Sequence, residues 1–394
     1  MRSQPIVEGL GPLVLLLVGV FATASLIPYM GVFIVQGLGK SPLYISGYAS
    51  TVIVLTLLMN RWFGARLDAG ARIAPMLLAA CLGYVVAVAG VLFLPSYATL
   101  LLITAPGMAV ANTSIATMYS YGRQTAERSG WDVIRYNARL RATTSLGWMI
   151  APALTFAVAG AFGATMVFVL SLVFGAGWLL GWALLMPGDV RGTLGTPKPI
   201  GLPRGLDDIW PPVLVCLLFS VAHAAGSGAI ALYTLEELGL PVSTPGLMLS
   251  AKTAAEIIVI LASPRLILRF GTPLLLMGAA AAAVATYFLM ALAETRGQMI
   301  ALGFLEGAYY GTFAVAGLSY VQSFAAGRMG RATALYMNAL FLGGLLGSPI
   351  MALFASLQSF AMALVAAGAL SMLSLVTLLV LEAHRRRHLL RGVS

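Results

Sequence analysis

PGDVRGTLGTPKPIGLPRGLDDIW, residues 187–210, is the one long polar stretch in a chain that is otherwise apolar almost throughout. Its prolines and glycines do not continue a buried helix, because proline lacks a backbone N–H and glycine loses the most conformational freedom on ordering. On either side the sequence breaks into six apolar runs. They read as helices over roughly 12–36, 43–63, 73–94, 98–121, 136–160 and 163–186 before it, and 211–235, 244–263, 273–293, 298–323, 332–355 and 359–381 after it. A helix of about 20 apolar residues crosses the hydrocarbon core of a bilayer. The expected organisation is a six-helix half at 1–186, a cytoplasmic linker at 187–210, a second six-helix half at 211–384 and a basic cytoplasmic tail at 385–394.

Composition leads to the same place. Of 394 residues, 60% are hydrophobic and 9% charged, against about 25% charged in soluble domains. Such a chain cannot cover itself with a polar surface, whereas a bilayer supplies an apolar exterior. Lipid offers the backbone no hydrogen-bond partners, so spanning segments must be helices or closed barrels. The runs are continuous rather than alternating, which excludes a barrel. The chain is thus an all-α membrane protein.

The net charge of +10 does not point to nucleic acid, because the basic residues stand singly between apolar runs. With both termini cytoplasmic, almost every basic residue in the connections falls inside. Only Lys40 and Arg296 fall outside, the asymmetry of the positive-inside rule. Arg139, Arg141 and Lys252 lie in or at the edge of spans. Arg2, an apolar run and Ala22-Thr23-Ala24 imitate a cleavable signal peptide, but the run continues to Val35 and reads as a first transmembrane helix. Cys81 and Cys216 sit inside apolar runs and read as buried thiols. The run HRRRHLLR at the end of the chain is placed to lie against anionic headgroups or to act as a plain flank.

An ionisable side chain inside a span is costly, so each one is a functional candidate. The candidates for proton coupling are Glu256, Glu306, Lys252 and His223. Lys252 and Glu256 are four residues apart, on one helix face and close enough to pair. Such a pair is either a proton carrier or a static tie. Glu306 lies either in the cavity lining beside Tyr309 and Tyr310 or near the outer mouth in water. Arg141 offers five fixed donors that suit sugar hydroxyls or a carboxylate, unless it snorkels to the interface. Asn112, Gln36, Gln322 and Asn338 supply paired donors and acceptors. Tyr29, Trp148, Tyr233 and Tyr310 supply flat faces for a sugar ring. There is no phosphate loop and no His-Glu-x-x-His or Cys-x-x-Cys pattern, so no enzyme, cofactor or metal is expected.

The loop between the second and third runs, Gly64 to Arg72 (GARLDAGAR), resembles the major facilitator signature G-x-x-x-D-R-x-G-R. Gly64, Asp68 and Arg72 fit. Ala69 replaces the usual basic residue, and Gly70 sits one place early. The resemblance implies the major facilitator fold, with twelve transmembrane helices in two halves, substrate bound near the midplane between them, and this loop as a conformational latch. Its counterpart SPRLILRFGT, Ser263 to Thr272, lacks the acid. Four further stretches are similar to the bacterial sugar efflux transporters: Pro28 with VFIVQGLGKSPLYISG (32–47), RATTSLGWMIAP (141–152), ELGLPVSTPGLMLSAKTAAEI (237–257), and GRMG (327–330) leading to Asn338. This resemblance implies a secondary transporter in the bacterial inner membrane that exports a sugar or glycoside in exchange for protons, a monomer being sufficient. A drug or amphiphile antiporter of the same fold is the alternative. Gly147-x-x-x-Ala151-Pro152 also resembles the antiporter signature G-x-x-x-G-P, with the proline able to bend its helix.

Overall fold

The computed structural model describes residues 4–191, 209–324 and 329–391, and every structural statement below concerns them. Most of the expected linker therefore lies outside the described residues, as do the Asp68 side chain and the tail side chains beyond Arg385.

Among the described residues, 12 helices are long and apolar enough to cross a membrane. In the first half they are α1 (Gly9–Gly37), α2 (Leu43–Leu67), α3 (Ile73–Phe93), α4 (Tyr97–Arg128), α5 (Arg139–Phe162) and α6 (Ala164–Leu185). In the second they are α7 (Trp210–Glu237), α8 (Thr244–Ser263), α9 (Thr272–Ala291), α10 (Arg296–Ser323), α11 (Leu335–Leu357) and α12 (Phe360–Arg385). Large apolar side chains such as Leu102, Val173, Leu184 and Leu261 stand exposed on them, as lipid-facing residues do. The chain is a multi-pass membrane protein. Cys81 and Cys216 are buried and free.

Internal contacts divide the chain into two compact units, Met1–Lys40 with Tyr48–Ile200, and Ser41–Gly47 with Gly201–Ser394. Each repeats the other's plan. In the first, α1 packs on α5 and α6, and α3 packs on α4 and α6. In the second, α7 packs on α11 and α12, and α9 packs on α10 and α12. Small residues permit these approaches. A Cβ on Gly147 of α5 would meet Val20 of α1, and one on Gly347 of α11 would meet the Val221 carbonyl and Ala224 of α7. Gly147 and Ala151 thus serve the packing of α5, with Ala151 fully buried.

The repetition extends to the ends of the first helix of each half. Both α1 and α7 finish in a π-helical turn, Phe33–Gly37 and Tyr233–Glu237. Both stop at a Leu-Gly pair whose glycine takes a left-handed conformation, φ 61° at Gly39 and 59° at Gly239. The stop is closed by matching hydrogen bonds, Leu38 N–H to Phe33 O and Lys40 N–H to Ile34 O in one half, and Leu238 N–H to Tyr233 O and Leu240 N–H to Thr234 O in the other. A side chain at these positions would crowd the following carbonyl. Gly70, the glycine that stands one place early in the signature loop, has φ 76° and ends its helix in the same manner.

One pairing is confined to the second half. α8 lies along α10 in the most extensive helix–helix contact of the molecule, while α2 and α4 barely touch.

Replacing Gly39 or Gly239 by Ala will lower the thermal unfolding midpoint in detergent, each by the equivalent of about 1–2 kcal/mol. Gly64→Ala, where an added Cβ meets nothing within 4 Å, will leave the midpoint unchanged or raise it slightly.

Candidate functional site

Three glycines spaced along one face of α10 explain its contact with α8. A Cβ on Gly303 would meet the Met248 carbonyl oxygen at 2.9 Å, one on Gly307 would overlap the Lys252 carbonyl oxygen, and one on Gly311 would meet the Glu256 carbonyl oxygen at 3.0 Å. The bare face of α10 thus runs turn by turn against the backbone of α8. This closeness carries the Lys252 side chain to a partner on α10.

That partner is Glu306. Lys252 Nζ donates to Glu306 Oε1 at 2.8 Å. Glu306 is only 2% exposed, which removes it from the watery outer mouth that the sequence left open. Lys252 therefore has its ion pair across the helix interface, while the sequence spacing pointed along its own helix to Glu256. Glu256 lies one turn further along α8 and is half-buried. Positions 252 and 306 both stand near the middle of their spans, where an unpaired charge would be most costly.

His223 on α7 completes the cluster. Its Nε2 is 3.3 Å from Lys252 Nζ, and its Nδ1 is 3.7 Å from Glu306 Oε1. The imidazole stacks on Tyr310 with centroids 4.0 Å apart and planes inclined by 19°. Lys252 Nζ is 5.4 Å from the centre of the same Tyr310 ring, within cation–π range. Tyr309, met in the sequence only as a neighbour of Glu306, and Tyr287 approach His223 Nδ1 with their hydroxyls at 3.1 and 3.3 Å. Behind them Phe219 and Phe313 stack at 4.0 Å and close the apolar wall.

The structure thus brings together Lys252, Glu306, His223 and Tyr310, with Glu256 one turn away, all in the second half. The remaining candidates have no contact with the cluster among those described within either half. Arg141, Gln36 and Asn338 are exposed, and Trp148 and Gln322 are half-buried. Asn112 Nδ2 donates to Thr56 Oγ1 at 3.2 Å, tying α4 to α2. Tyr29 is buried edge-on against Phe156 and Phe168. Tyr233 turns its hydroxyl onto the carbonyls of Ala291 and Ala293 at the end of α9, so its polar end is engaged in helix capping. Arg72 is exposed, and its backbone pairs with that of Arg191.

The first half has a neutral counterpart of the cluster. Tyr84 of α3 donates to the Ala22 carbonyl at 2.6 Å, and Ser25 Oγ lies 3.3 Å from Tyr84 Oη and 3.1 Å from Ser171 Oγ. Ser96 and Thr295 cap α4 and α10 in the same way. Counted from these caps, with one residue added by the π-helical turn Leu100–Thr104, Gly107 and Met108 stand where α10 has Glu306. Among the described residues, the buried charge belongs to one half alone.

The Major Facilitator Superfamily profile matches residues 213–393. Sugar efflux transporter A of Escherichia coli is 25% identical over 345 residues, 86% of each chain. Sugar efflux transporter B of Salmonella typhimurium is 24% identical over 339 residues, 84% of this chain and 85% of that one. Among solved structures, the nucleoside transporter NupG superposes with a TM-score of 0.77 at 14% identity, over 95% of this chain and 98% of that one. A bacterial homologue of the iron transporter ferroportin superposes at 0.72 with 16% identity, over 96% and 99%. The fold is that of the major facilitator transporters. The second half of the chain matches the Major Facilitator Superfamily profile, and most of the chain's length is similar to the bacterial sugar efflux transporters.

Removing one partner of a buried ion pair strands the other, at about 3–5 kcal/mol. Lys252→Met will lower the thermal midpoint in detergent accordingly, and adding Glu306→Gln to it will recover most of the loss. Equal midpoints for the single and double variants would show that the two side chains do not interact.

Proposed function

We propose that the chain exports a small polar solute, a sugar or glycoside, by alternating access coupled to proton entry, with Glu306 as the proton carrier. The observation that carries this reading is the Lys252–Glu306 pair, buried at mid-span with a length of 2.8 Å. While Glu306 is a carboxylate, it holds the Lys252 ammonium. Protonation removes that attraction, and the ammonium turns to its remaining neighbours, His223 Nε2, the Tyr310 ring and Glu256. The proton thus moves a charge within the second half, and that movement is the element by which a proton biases one access state over the other.

The relatives named as sugar efflux transporters support the choice of solute. Sugar recognition would use Arg141, Asn112, Gln36, Trp148, Gln322, Asn338 and the Tyr310 face, residue types that offer amide and guanidinium groups and aromatic rings. The loop Gly64, Asp68 and Arg72 would act as the latch of one access state. The charge asymmetry of the connections supports an inner-membrane orientation with both termini cytoplasmic, and a monomer suffices for the mechanism.

Everted membrane vesicles bearing the chain, given radiolabelled lactose or a glucoside, will accumulate the sugar when a proton gradient is imposed. Collapse of the gradient will abolish accumulation, as will Glu306→Gln. Equal accumulation with and without the gradient would remove the coupling. Movement of a cationic dye in place of either sugar would turn the assignment to drug efflux.

A further inference from the structure

Tyr287 and Tyr309 have no part in the reading above, yet both are buried beside His223, with Tyr287 fully buried and Tyr309 2% exposed. Each hydroxyl has one proton to give, and each has an oxygen acceptor other than the imidazole. Tyr309 Oη donates to Tyr287 Oη at 2.6 Å, and Tyr287 Oη donates to the backbone carbonyl of His223 at 3.3 Å. Neither hydroxyl then has a proton left for His223 Nδ1, so Nδ1 must carry the hydrogen and donate to them. The other end of the ring gives the same answer. An ammonium has no lone pair, so the Lys252 contact at 3.3 Å requires Nε2 to be bare. Both faces of the imidazole therefore select the neutral form with its proton on Nδ1.

We propose that Tyr287 and Tyr309 are positioning residues for proton coupling. By accepting the Nδ1 hydrogen they hold His223 with a bare Nε2 toward Lys252, so that the ammonium has a ready acceptor when Glu306 takes up a proton. This rests on the coupling role assigned to the Lys252–Glu306 pair. Without the two hydroxyls, the imidazole proton is free to move to Nε2, where it meets the ammonium as donor against donor. The ionisable neighbours of the site are Lys252 and Glu256 on α8, Glu306 and Tyr310 on α10, and Tyr336 on α11, which lies beyond Phe313. None of these offers Nδ1 a neutral oxygen in place of the two hydroxyls among the contacts described here.

The test separates coupling from solute movement. Full-length protein in proteoliposomes is assayed twice with the sugar that the wild type carries: by accumulation driven by a proton gradient, and by gradient-free counterflow. The double variant Tyr287→Phe/Tyr309→Phe keeps both rings. It is expected to lose driven accumulation by about tenfold or more, the lower end of what a buried hydrogen bond to a charged group contributes, while counterflow stays within about twofold. His223→Gln, whose amide both donates and accepts, will retain more driven accumulation than His223→Leu. The tautomer is read independently by nitrogen NMR of histidine-labelled protein. The chain has three histidines, so His384→Gln and His388→Gln leave His223 alone. A protonated Nδ1 with a bare Nε2 is expected, moving toward a mixture in the double variant. Driven accumulation at the wild-type level in the double variant would overturn the inference and leave Glu306 coupling standing, as would a wild-type spectrum with the proton on Nε2. Equal loss of counterflow and driven accumulation would reduce the tyrosines to structural supports and also overturn it. Wild-type transport indifferent to the gradient would instead remove the coupling reading itself, and this inference with it.

Discussion

The carboxylate of Glu306 sits at mid-span with almost no exposure. In that environment water cannot solvate its charge, and the protein must supply the partner that water would have been. Lys252 meets the need, but only because two helix backbones come unusually close. The glycine face of α10 removes the side chains that would otherwise hold α8 away. Ammonium and carboxylate can then meet at 2.8 Å without either chain leaving its helix. The ammonium in turn lies 3.3 Å from His223 Nε2, and the two tyrosine hydroxyls approach the other ring nitrogen. The glycine face, the ion pair, the imidazole and the two hydroxyls thus form one chain of dependence, beginning with the cost of a buried charge.

The two halves share a plan and differ in chemistry. Their helix pairings correspond, and the ends of α1 and α7 carry the same π-helical turn and left-handed glycine. In the first half a tyrosine and two serines occupy the polar interior, and neutral hydroxyls can be satisfied within hydrogen-bond reach at little cost. In the second half the corresponding region holds an acid, a base and an imidazole. Repetition supplies a symmetric frame, and the Lys252–Glu306 ion pair stands on one side of it.

Much of this was open to reading from the chain alone. Hydropathy delivered most span ends within a few residues, the fourth span running on to Arg128 where 121 was expected, since burial in lipid depends on the average character of a segment. The cost of ionisable groups in hydrocarbon singled out Lys252, Glu306 and His223 without any knowledge of their neighbours. The same reasoning gave Lys252 a partner on its own helix, because spacing along one helix is the only geometry a sequence displays. Arg141 ranked high for the chemistry of its guanidinium, and the structure leaves that side chain exposed. Tyr29 and Tyr233 looked like ring-stacking surfaces, and their actual surroundings are aromatic packing and a helix end. Tyr309 stood out only as a neighbour of Glu306 in the sequence, and Tyr287 gave no signal that set it apart from other tyrosines in spans.

What the sequence determined by itself was the membrane class, the number of spans, their division around a polar linker and the short inventory of costly charges. All of these depend on composition and on order along one dimension. The pairing of Lys252 with Glu306, the ring orientation of His223 and the enlistment of two tyrosines were decided by tertiary structure alone. They depend on the rotation of four helices about their axes and on the distance between two backbones. That distance is set by whether atoms on facing helices collide, a property of two segments taken together that neither segment carries alone.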